Sequence, residues 1–387
     1  KSSASCLEVD ARTIDPNFVE AHEEGGKGNM YFSGDLGFSQ STDNINGSSV
    51  AIADNFVYSE VGYFKLKTNS VTDQTFTQVD QTGMGDCINE APNDFSNVKI
   101  DGKYGCKIGN AVDTQYFGRF IPDHFDVVTT VSNCSKGSDF PDGFSYSRQP
   151  LNLTITAKNS LRERTFNYDR GSFAKAVVLS DVNSPQASGS FTLATTVPAD
   201  DFTSGAASTK SPTNPNSTTS IAFTFDDVRT VPSPITIRAK DTDIVSSEGY
   251  ETSASTKIVS GRVKLVSNSG SELKDLPMPM RVEYWESATK DWQTSAADSC
   301  TDATVSFEDV DSNDSIIPTN TCVLDVSAPG SSGIGCADAA SVQKRYKETS
   351  NLSGDFNLWL QAPGVDNTGT IEVTANVDDW LKFNWTD

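Results

Sequence analysis

The chain is organised around an eleven-residue stretch, Phe117-Gly118-Arg119-Phe120-Ile121-Pro122-Asp123-His124-Phe125-Asp126-Val127. Pro122 fixes its own φ angle and biases Ile121 towards extended backbone. The residues that follow, Val127-Val128-Thr129-Thr130-Val131, are typical of a β-strand. We therefore predict a rigid junction that ends one module and begins the next. Its expected structural residues are Phe117, Phe120, Pro122, Asp123, His124 and Phe125.

Short alternating segments on both sides of this stretch predict a mainly β fold. Leu153, Ile155 and Ala157 alternate with polar residues, as in a strand with one buried face. Similar alternation recurs at residues 262–265, 280–285 and 370–377. We expect consecutive antiparallel β-sandwich domains of immunoglobulin-like architecture, with long loops and few short helices.

The length of 387 residues allows two or three domains, each with its own core. We expect an irregular β module at residues 1–120 and β-sandwich domains at residues 121–245 and 246–387. Two short helices are expected. One is at residues 17–22, where Asp15-Pro16 is a helix-start signal, and one is at residues 336–347, because residues 337–347 lack Gly and Pro.

The net charge of −22 excludes some classes of partner. Nucleic acid needs a basic surface, and an anionic membrane surface also attracts basic segments. No apolar run reaches the roughly 18 residues that cross a bilayer, so we expect no membrane span. No signal peptide is visible, although the sequence can begin after its removal.

The seven cysteines point to disulfides rather than to metal. Cys87 with Cys106 and Cys300 with Cys322 have the spacing of local staples, whereas a zinc pattern of the CxxC type is absent. Disulfides indicate an oxidising compartment. The remaining cysteines, Cys6, Cys134 and Cys336, leave at least one thiol free or paired outside the chain.

Evidence for catalysis is weak in this sequence. The two histidines, His22 and His124, are isolated from each other, and no Gly-x-Ser-x-Gly elbow is present. Asp123 and His124 could form an acid–base pair, but neighbours on a strand point to opposite faces. A pair of carboxylates for glycoside hydrolysis is an alternative that stays open. The chain has 52 acidic residues, and two of them can lie close together in the fold without being close in sequence. We expect the protein to have no enzymatic activity and to bind no cofactor other than calcium.

Calcium is the cofactor that the acidic turns favour. Six to eight oxygen ligands are needed, and closely spaced Asp and Asn residues can supply several of them. The expected ligands are Glu308, Asp309, Asp311, Asn313 and Asp314, with Asp241-Thr242-Asp243 as a weaker alternative. The competing interpretation of both segments is a solvated acidic turn.

Five tryptophans lie in the last third of the chain: Trp285, Trp292, Trp359, Trp380 and Trp385. Exposed indole rings can stack on the faces of sugars, although tryptophans more often cover the edge of a core. By alternation, Trp285 should point away from the Val282 face of its strand.

The central stretch also resembles a motif of a known family, and further marks follow in family order. They are Phe56-Val57-Tyr58-Ser59-Glu60-Val61-Gly62-Tyr63-Phe64, Phe144-Ser145-Tyr146-Ser147-Arg148-Gln149-Pro150, Asn167-Tyr168, Arg238-Ala239-Lys240-Asp241-Thr242-Asp243, Gly261-Arg262-Val263-Lys264-Leu265, Gly270-Ser271-Glu272-Leu273, Asp298-Ser299-Cys300-Thr301 and Ala362-Pro363-Gly364. Together they resemble the MSHA (mannose-sensitive haemagglutinin) type IV pilus biogenesis protein Q family and its C-terminal domain of unknown function.

The resemblance implies an exported bacterial protein that is extracellular or located at the cell surface. We expect a non-enzymatic role in adhesion or pilus assembly, with pilus or other surface proteins, and surface glycans, as partners. The alternatives are a carbohydrate-binding region of a secreted polysaccharide-degrading protein and a structural subunit of a surface filament, joined through strand edges or an intermolecular disulfide.

Overall fold

The computed structural model describes residues 19–22, 36–38, 41–42, 52–53, 56–66, 68, 72–73, 85, 87–88, 90–105, 108–109, 112–115, 117–129, 140–169, 173–182, 189–211, 215–250, 255–287, 291–298, 301–309, 321, 344–347, 354–356 and 358–382. The described part is mainly β, as predicted. Within it, helix is confined to single 3-10 turns at Asn93–Phe95, Ala199–Asp201 and Asp379–Leu381.

The first unit contains short strands: β1 (Val19–His22), β2 (Leu36–Phe38), β3 (Ser41–Thr42), β4 (Ile52–Ala53), β5 (Phe56–Tyr58), β6 (Gly62–Leu66), β7 (Thr72–Asp73), β8 (Cys87–Ile88), β9 (Tyr104–Gly105), β10 (Ile108–Gly109) and β11 (Phe117–Phe120). Its main sheet has the order β1-β6-β11. The helix expected at residues 17–22 is therefore wrong over residues 19–22, and residues 17–18 lie outside the described part. Val19–His22 pairs antiparallel with Tyr63–Leu66, and this long-range pairing outweighs the local helix-start signal.

The central stretch lies where two sheets meet. Phe120 pairs with Gly62 in the sheet of the first unit, and His124 pairs with Lys158 in the next sheet. Residues 121–123 connect these two strands. Pro122 is buried in this connection.

The second unit contains β12 (His124–Thr129), β13 (Ser145–Tyr146), β14 (Leu153–Lys158), β15 (Val177–Asp181), β16 (Gly189–Thr192), β17 (Thr196–Val197), β18 (Ala206–Ser208), β19 (Ala222–Phe225), β20 (Ser233–Lys240) and β21 (Ser255–Val259). Its sheets have the orders β12-β14-β18, β13-β21-β20-β15-β17 and β16-β19. The alternation predicted for β14 is confirmed, since Leu153, Ile155 and Ala157 are buried in one core. Burying a side chain the size of Leu or Ile contributes about 1.5–3 kcal/mol.

The third unit contains β22 (Gly261–Leu265), β23 (Leu276–Met278), β24 (Met280–Glu286), β25 (Asp291–Thr294), β26 (Asp302–Asp309), β27 (Lys344–Lys347), β28 (Leu358–Leu360) and β29 (Ile371–Val377). Its sheets have the orders β22-β24-β25, β23-β28 and β27-β26-β29. Lys344–Lys347 pairs with β26, so the helix expected at residues 336–347 is wrong over this part, and the rest lies outside the described residues. Again a pairing with a distant strand decides the local structure.

The second and third units share residues at their boundary. Phe140, Phe144 and Tyr146 precede most of the second unit in sequence, yet they are buried in the core of the third. β13 pairs in parallel with β21, which leads into β22 through Ser260. β21 belongs to the sheet of β20, so the second unit extends past the boundary expected at residue 245. Strand pairing of this kind cannot be located from composition alone.

Candidate functional site

The outer face of the sheet β22-β24-β25 carries an unusual combination of side chains. Along β24, Met280, Val282 and Tyr284 enter the core of the third unit. Because successive strand residues point to opposite faces, Glu283 and Trp285 lie on the other face. The position predicted for Trp285, away from the Val282 face, agrees with this alternation.

Two tryptophans lie side by side on this outer face. Trp285 of β24 is directly opposite Trp292 of β25, with ring centroids 5.7 Å apart and planes at 74°. This edge-to-face arrangement is a favourable one for aromatic rings. Both indoles are half-buried. We call Arg262, Glu283, Trp285 and Trp292 the aromatic face.

A buried ion pair holds the aromatic face in place. The Nε and Nη2 atoms of Arg262 donate to one carboxylate oxygen of Glu283, at 2.8 and 2.6 Å. The two residues are only 6% and 5% exposed. Burial lowers the pKa of the Arg262 guanidinium, and the Glu283 carboxylate opposes that shift. Removing one partner of such a pair is costly, because the other charge stays buried.

The guanidinium of Arg262 also stacks on Trp292, at 4.1 Å from the ring centroid. A cation–π contact of this kind is worth about 0.5–2 kcal/mol, depending on exposure. The guanidinium of Arg262 therefore holds the Trp292 ring in place, edge-to-face with Trp285. A rigid, half-buried pair of indoles is suited to binding a ligand that has an apolar face.

The other tryptophans are not part of this face. Trp359 lies in β28 between Leu358 and Leu360, which are buried, and pairs with Pro277. Trp380 packs against the core of the third unit. Trp385 lies outside the described residues.

The weaker calcium candidate, Asp241 to Asp243, is already filled by protein groups. One oxygen of Asp241 accepts the backbone N–H groups of Asp243 and Val245, at 2.9 and 3.0 Å, and the other accepts the Tyr168 hydroxyl at 3.0 Å. Asp243 forms an ion pair with Arg119. A cation would have to displace Arg119, which is a physical reason against calcium here.

These contacts shift the acidity of both carboxyls in opposite directions. Burial raises the pKa of Asp241. The hydrogen bond from Arg119 lowers the pKa of Asp243. Because Arg119 belongs to β11 and Asp243 follows β20, the pair ties the first unit to the second.

His124 is buried at the start of β12. Its Nδ1 atom lies 2.9 Å from Oδ2 of Asp123, and its ring stacks on Tyr250 at 3.7 Å and 8°. The expectation that Asp123 and His124 point apart is wrong, because Asp123 precedes the strand and is not held to its alternation. The stacked ring is held by packing on Tyr250 as well as by Asp123.

The aromatic residues of the junction differ in burial. Phe125 is fully buried against Tyr168 and Phe202, with ring centroids at 5.6 and 6.4 Å. Phe120 is partly buried, whereas Phe117 is 45% exposed. Phe117 is therefore not a buried anchor, in contrast to the expectation from sequence.

The predicted calcium loop and disulfides are only partly covered by the described residues. Glu308 and Asp309 end β26, while Asp311, Asn313 and Asp314 lie outside the described part. Cys87 is buried in β8, opposite Tyr104 of β9. Cys106, Cys300 and Cys322 lie outside the described part. In the described residues, His, Cys, Asp and Glu form no group arranged to hold a metal ion. These assignments stay predictions.

Sequence reasoning missed two buried carboxylates that join units. Glu60 accepts the backbone N–H groups of Phe166 and Asn167, both at 3.0 Å, and burial raises its pKa. Asp298 is fully buried and accepts the Tyr146 hydroxyl at 2.5 Å. Both carboxylates lie in motifs that carry the family resemblance, but their partners are more than 100 residues away. Sequence alone gives no signal for such partners.

Comparison with known families gives two matches in consecutive order. Residues 103–262 match the third domain of DUF6701, and residues 259–387 match its fourth domain. The two matches meet close to Ser260, where β21 leads into β22. No curated protein and no solved structure matches the chain. In the part that the structure describes, no helix has the length and apolar character needed to cross a bilayer.

Proposed function

We propose that this chain, which carries two consecutive DUF6701 domains, is an extracellular, non-enzymatic binding protein of a bacterial surface system that serves adhesion or pilus assembly. The observation that carries the proposal is the aromatic face, where Trp285 and Trp292 are fixed by the Arg262–Glu283 pair. The ordered motifs that resemble the MSHA biogenesis protein Q family support the surface location.

The aromatic face suits adhesion because its side chains are already ordered. Ligand binding normally costs free energy for each side chain that must be immobilised. Here Arg262 and Glu283 are almost fully buried and hydrogen-bonded to each other. The apolar face of a ring, such as that of a sugar, can stack on an indole that is already held in position.

The buried carboxylates support a structural rather than a catalytic role for the acidic residues that carry the family resemblance. Three of these carboxylates each accept at least two hydrogen bonds: those of Glu60, Asp241 and Asp298. Their donors belong either to residues far away in the sequence or to the same turn. Their oxygens satisfy buried donors, whose loss would cost about 1–3 kcal/mol each.

A glycan array tests the proposal directly. The full chain should bind a subset of glycans, and Trp285→Ala should abolish that binding. Trp359→Ala is the matched control, because Trp359 is also half-buried but belongs to a different sheet. Binding that survives Trp285→Ala, or an array without any bound glycan, contradicts adhesion through this face.

The same aromatic face favours one alternative, a carbohydrate-binding region of a secreted polysaccharide-degrading protein. Incubating the chain with each glycan that it binds, and measuring new reducing ends, separates the two. Release of reducing ends would overturn the non-enzymatic assignment, while binding without cleavage agrees with it.

A further inference from the structure

In the part of the chain that the structure describes, β29 is the last strand of its sheet and its outer edge is unpaired. Ile371–Val377 pairs with β26 over seven consecutive residue pairs without a break in register. An antiparallel strand directs its backbone N–H and C=O groups alternately to its two sides. Among the described residues, no strand pairs with the outer side of β29, and no backbone hydrogen bond joins residues 371–377 to anything but β26.

Proteins usually protect such edges, and β29 lacks three of the features that commonly do so: a proline, a lysine and a β-bulge. A proline, a lysine or a β-bulge would block the approach of another strand. The sequence Ile-Glu-Val-Thr-Ala-Asn-Val has no proline and no lysine, and its register is regular. The exposed side chains are those of Glu372, Thr374 and Asn376, of which only Glu372 is charged.

The hydrophobic layer under this sheet is incomplete at β29. Ile371, Val373, Ala375 and Val377 pack against the core of the third unit, but all four stay partly exposed. In the neighbouring strand β26, Ala303 and Val305 are buried. A further strand with apolar residues facing the core would remove this apolar area from water, which is favourable.

Charge restricts what can occupy the edge. Glu372 lies directly opposite Glu308 in the register of the two strands. The whole chain has a net charge of −22, so a second copy would bring further negative charge to this position. A basic side chain next to Glu372 is favoured instead, because opposite charges on neighbouring strands attract.

We propose that β29 is an acceptor strand that binds, by strand addition, an extended segment of another protein in which apolar and basic residues alternate. Backbone hydrogen bonds give the segment its affinity, and the alternating side chains give it its specificity. The apolar residues extend the layer begun by Val373 and Ala375. The basic residues lie beside Glu372. This assignment is independent of the aromatic face, which belongs to another sheet.

The experiment uses the full chain and synthetic peptides of alternating lysine and valine. Two control peptides are needed, one with glutamate in place of lysine and one with alternate backbone amides N-methylated. The lysine peptide should bind saturably and slow amide hydrogen exchange in residues 371–377. The N-methylated peptide should not bind, since it cannot complete the backbone ladder.

Two charge-reversal variants complete the test. Glu372→Lys should reverse the preference, so that the glutamate peptide binds more tightly than the lysine peptide. Glu248→Lys, an exposed position in the second unit, should leave the preference unchanged. Equal binding of the N-methylated peptide, absence of saturable binding, or protection outside residues 371–377 would overturn the proposal. Self-association that protects the same residues would identify a second copy as the occupant and overturn it as well.

Discussion

The hydroxyl of Tyr146 donates a hydrogen bond to the carboxylate of Asp298 across the boundary between two domains, and both side chains are fully buried. Asp298 also accepts the backbone N–H and hydroxyl of Thr301, at 3.0 and 2.7 Å. Burial, reinforced by the nearby negative charge of Asp298, raises the pKa of Tyr146 well above its ordinary value. The tyrosine therefore acts as a donor at any physiological pH.

Replacing Tyr146 with phenylalanine should destabilise the third unit by about 1–3 kcal/mol, because a buried carboxylate oxygen loses a donor. The ring packing against Phe144 is kept in this variant, so the loss reports the hydroxyl. Denaturant unfolding measures the free energy of unfolding. Tyr104→Phe, at a residue that is 49% exposed, is the control and should change it little. Equal stability of both variants would contradict a role for this hydrogen bond.

Phe125 and Phe117 belong to the same motif but should respond differently to truncation. Phe125→Ala leaves a cavity beside Tyr168 and Phe202 and should cost about 3–5 kcal/mol. Phe117→Ala removes a side chain that is 45% exposed and should cost far less. Thermal unfolding of the two variants, side by side, measures the difference. A larger loss for Phe117→Ala would contradict the burial pattern of the junction.

The Arg119–Asp243 pair should make stability depend on pH in the acid range. Because the hydrogen bond from Arg119 lowers the pKa of Asp243 in the folded chain, the pair stabilises the fold above the ordinary carboxyl pKa of about 3.8. This stabilisation is lost as pH falls from there through the lowered folded-state value. Asp243→Asn should therefore be destabilised relative to the parent at neutral pH, and the difference should shrink below about pH 3.8. Glu248→Gln, at an exposed residue, is the control. A difference that stays constant through this range refutes the assignment.

The two predicted disulfides can be tested by peptide mapping without reductant. Cys87–Cys106 and Cys300–Cys322 each close a loop of about 20 residues, for which the chain-entropy model gives roughly 3 kcal/mol. We expect cross-linked peptides that contain each pair, and a lower unfolding temperature after reduction. Free thiols at Cys87 and Cys106 in oxidised, native protein would refute the first pair.

Much of the fold follows from alternation along the chain. The buried positions of β14 and the opposite faces of Val282 and Trp285 could be predicted, because a strand repeats every two residues. The same rule fails where a strand is short or lacks alternation. Val19–His22 is a strand because Tyr63–Leu66 lies beside it, and no local pattern shows that partner.

The polar contacts of the candidate sites were harder to predict than the strands. Alternation gives the face on which a side chain lies but not the residue that it meets. Arg119 and Asp243 are 124 residues apart in sequence, and Tyr146 and Asp298 are 152 apart. The tryptophans gave a partial signal, because Trp285 and Trp292 lie on adjacent strands, whereas their anchoring by Arg262 and Glu283 depends on a third strand.

Three aromatic residues from the N-terminal part of the second unit are buried in the core of the third unit. This arrangement restricts how the two domains can be exchanged between proteins. A recombination event that transferred only residues 259–387 would leave behind Phe140, Phe144 and Tyr146, which are buried in the core of that domain. The transferred domain would carry a hole the size of three aromatic rings, and Asp298 would lose its tyrosine. We therefore expect the two domains to be inherited together, and the segment 140–146 to be retained with them.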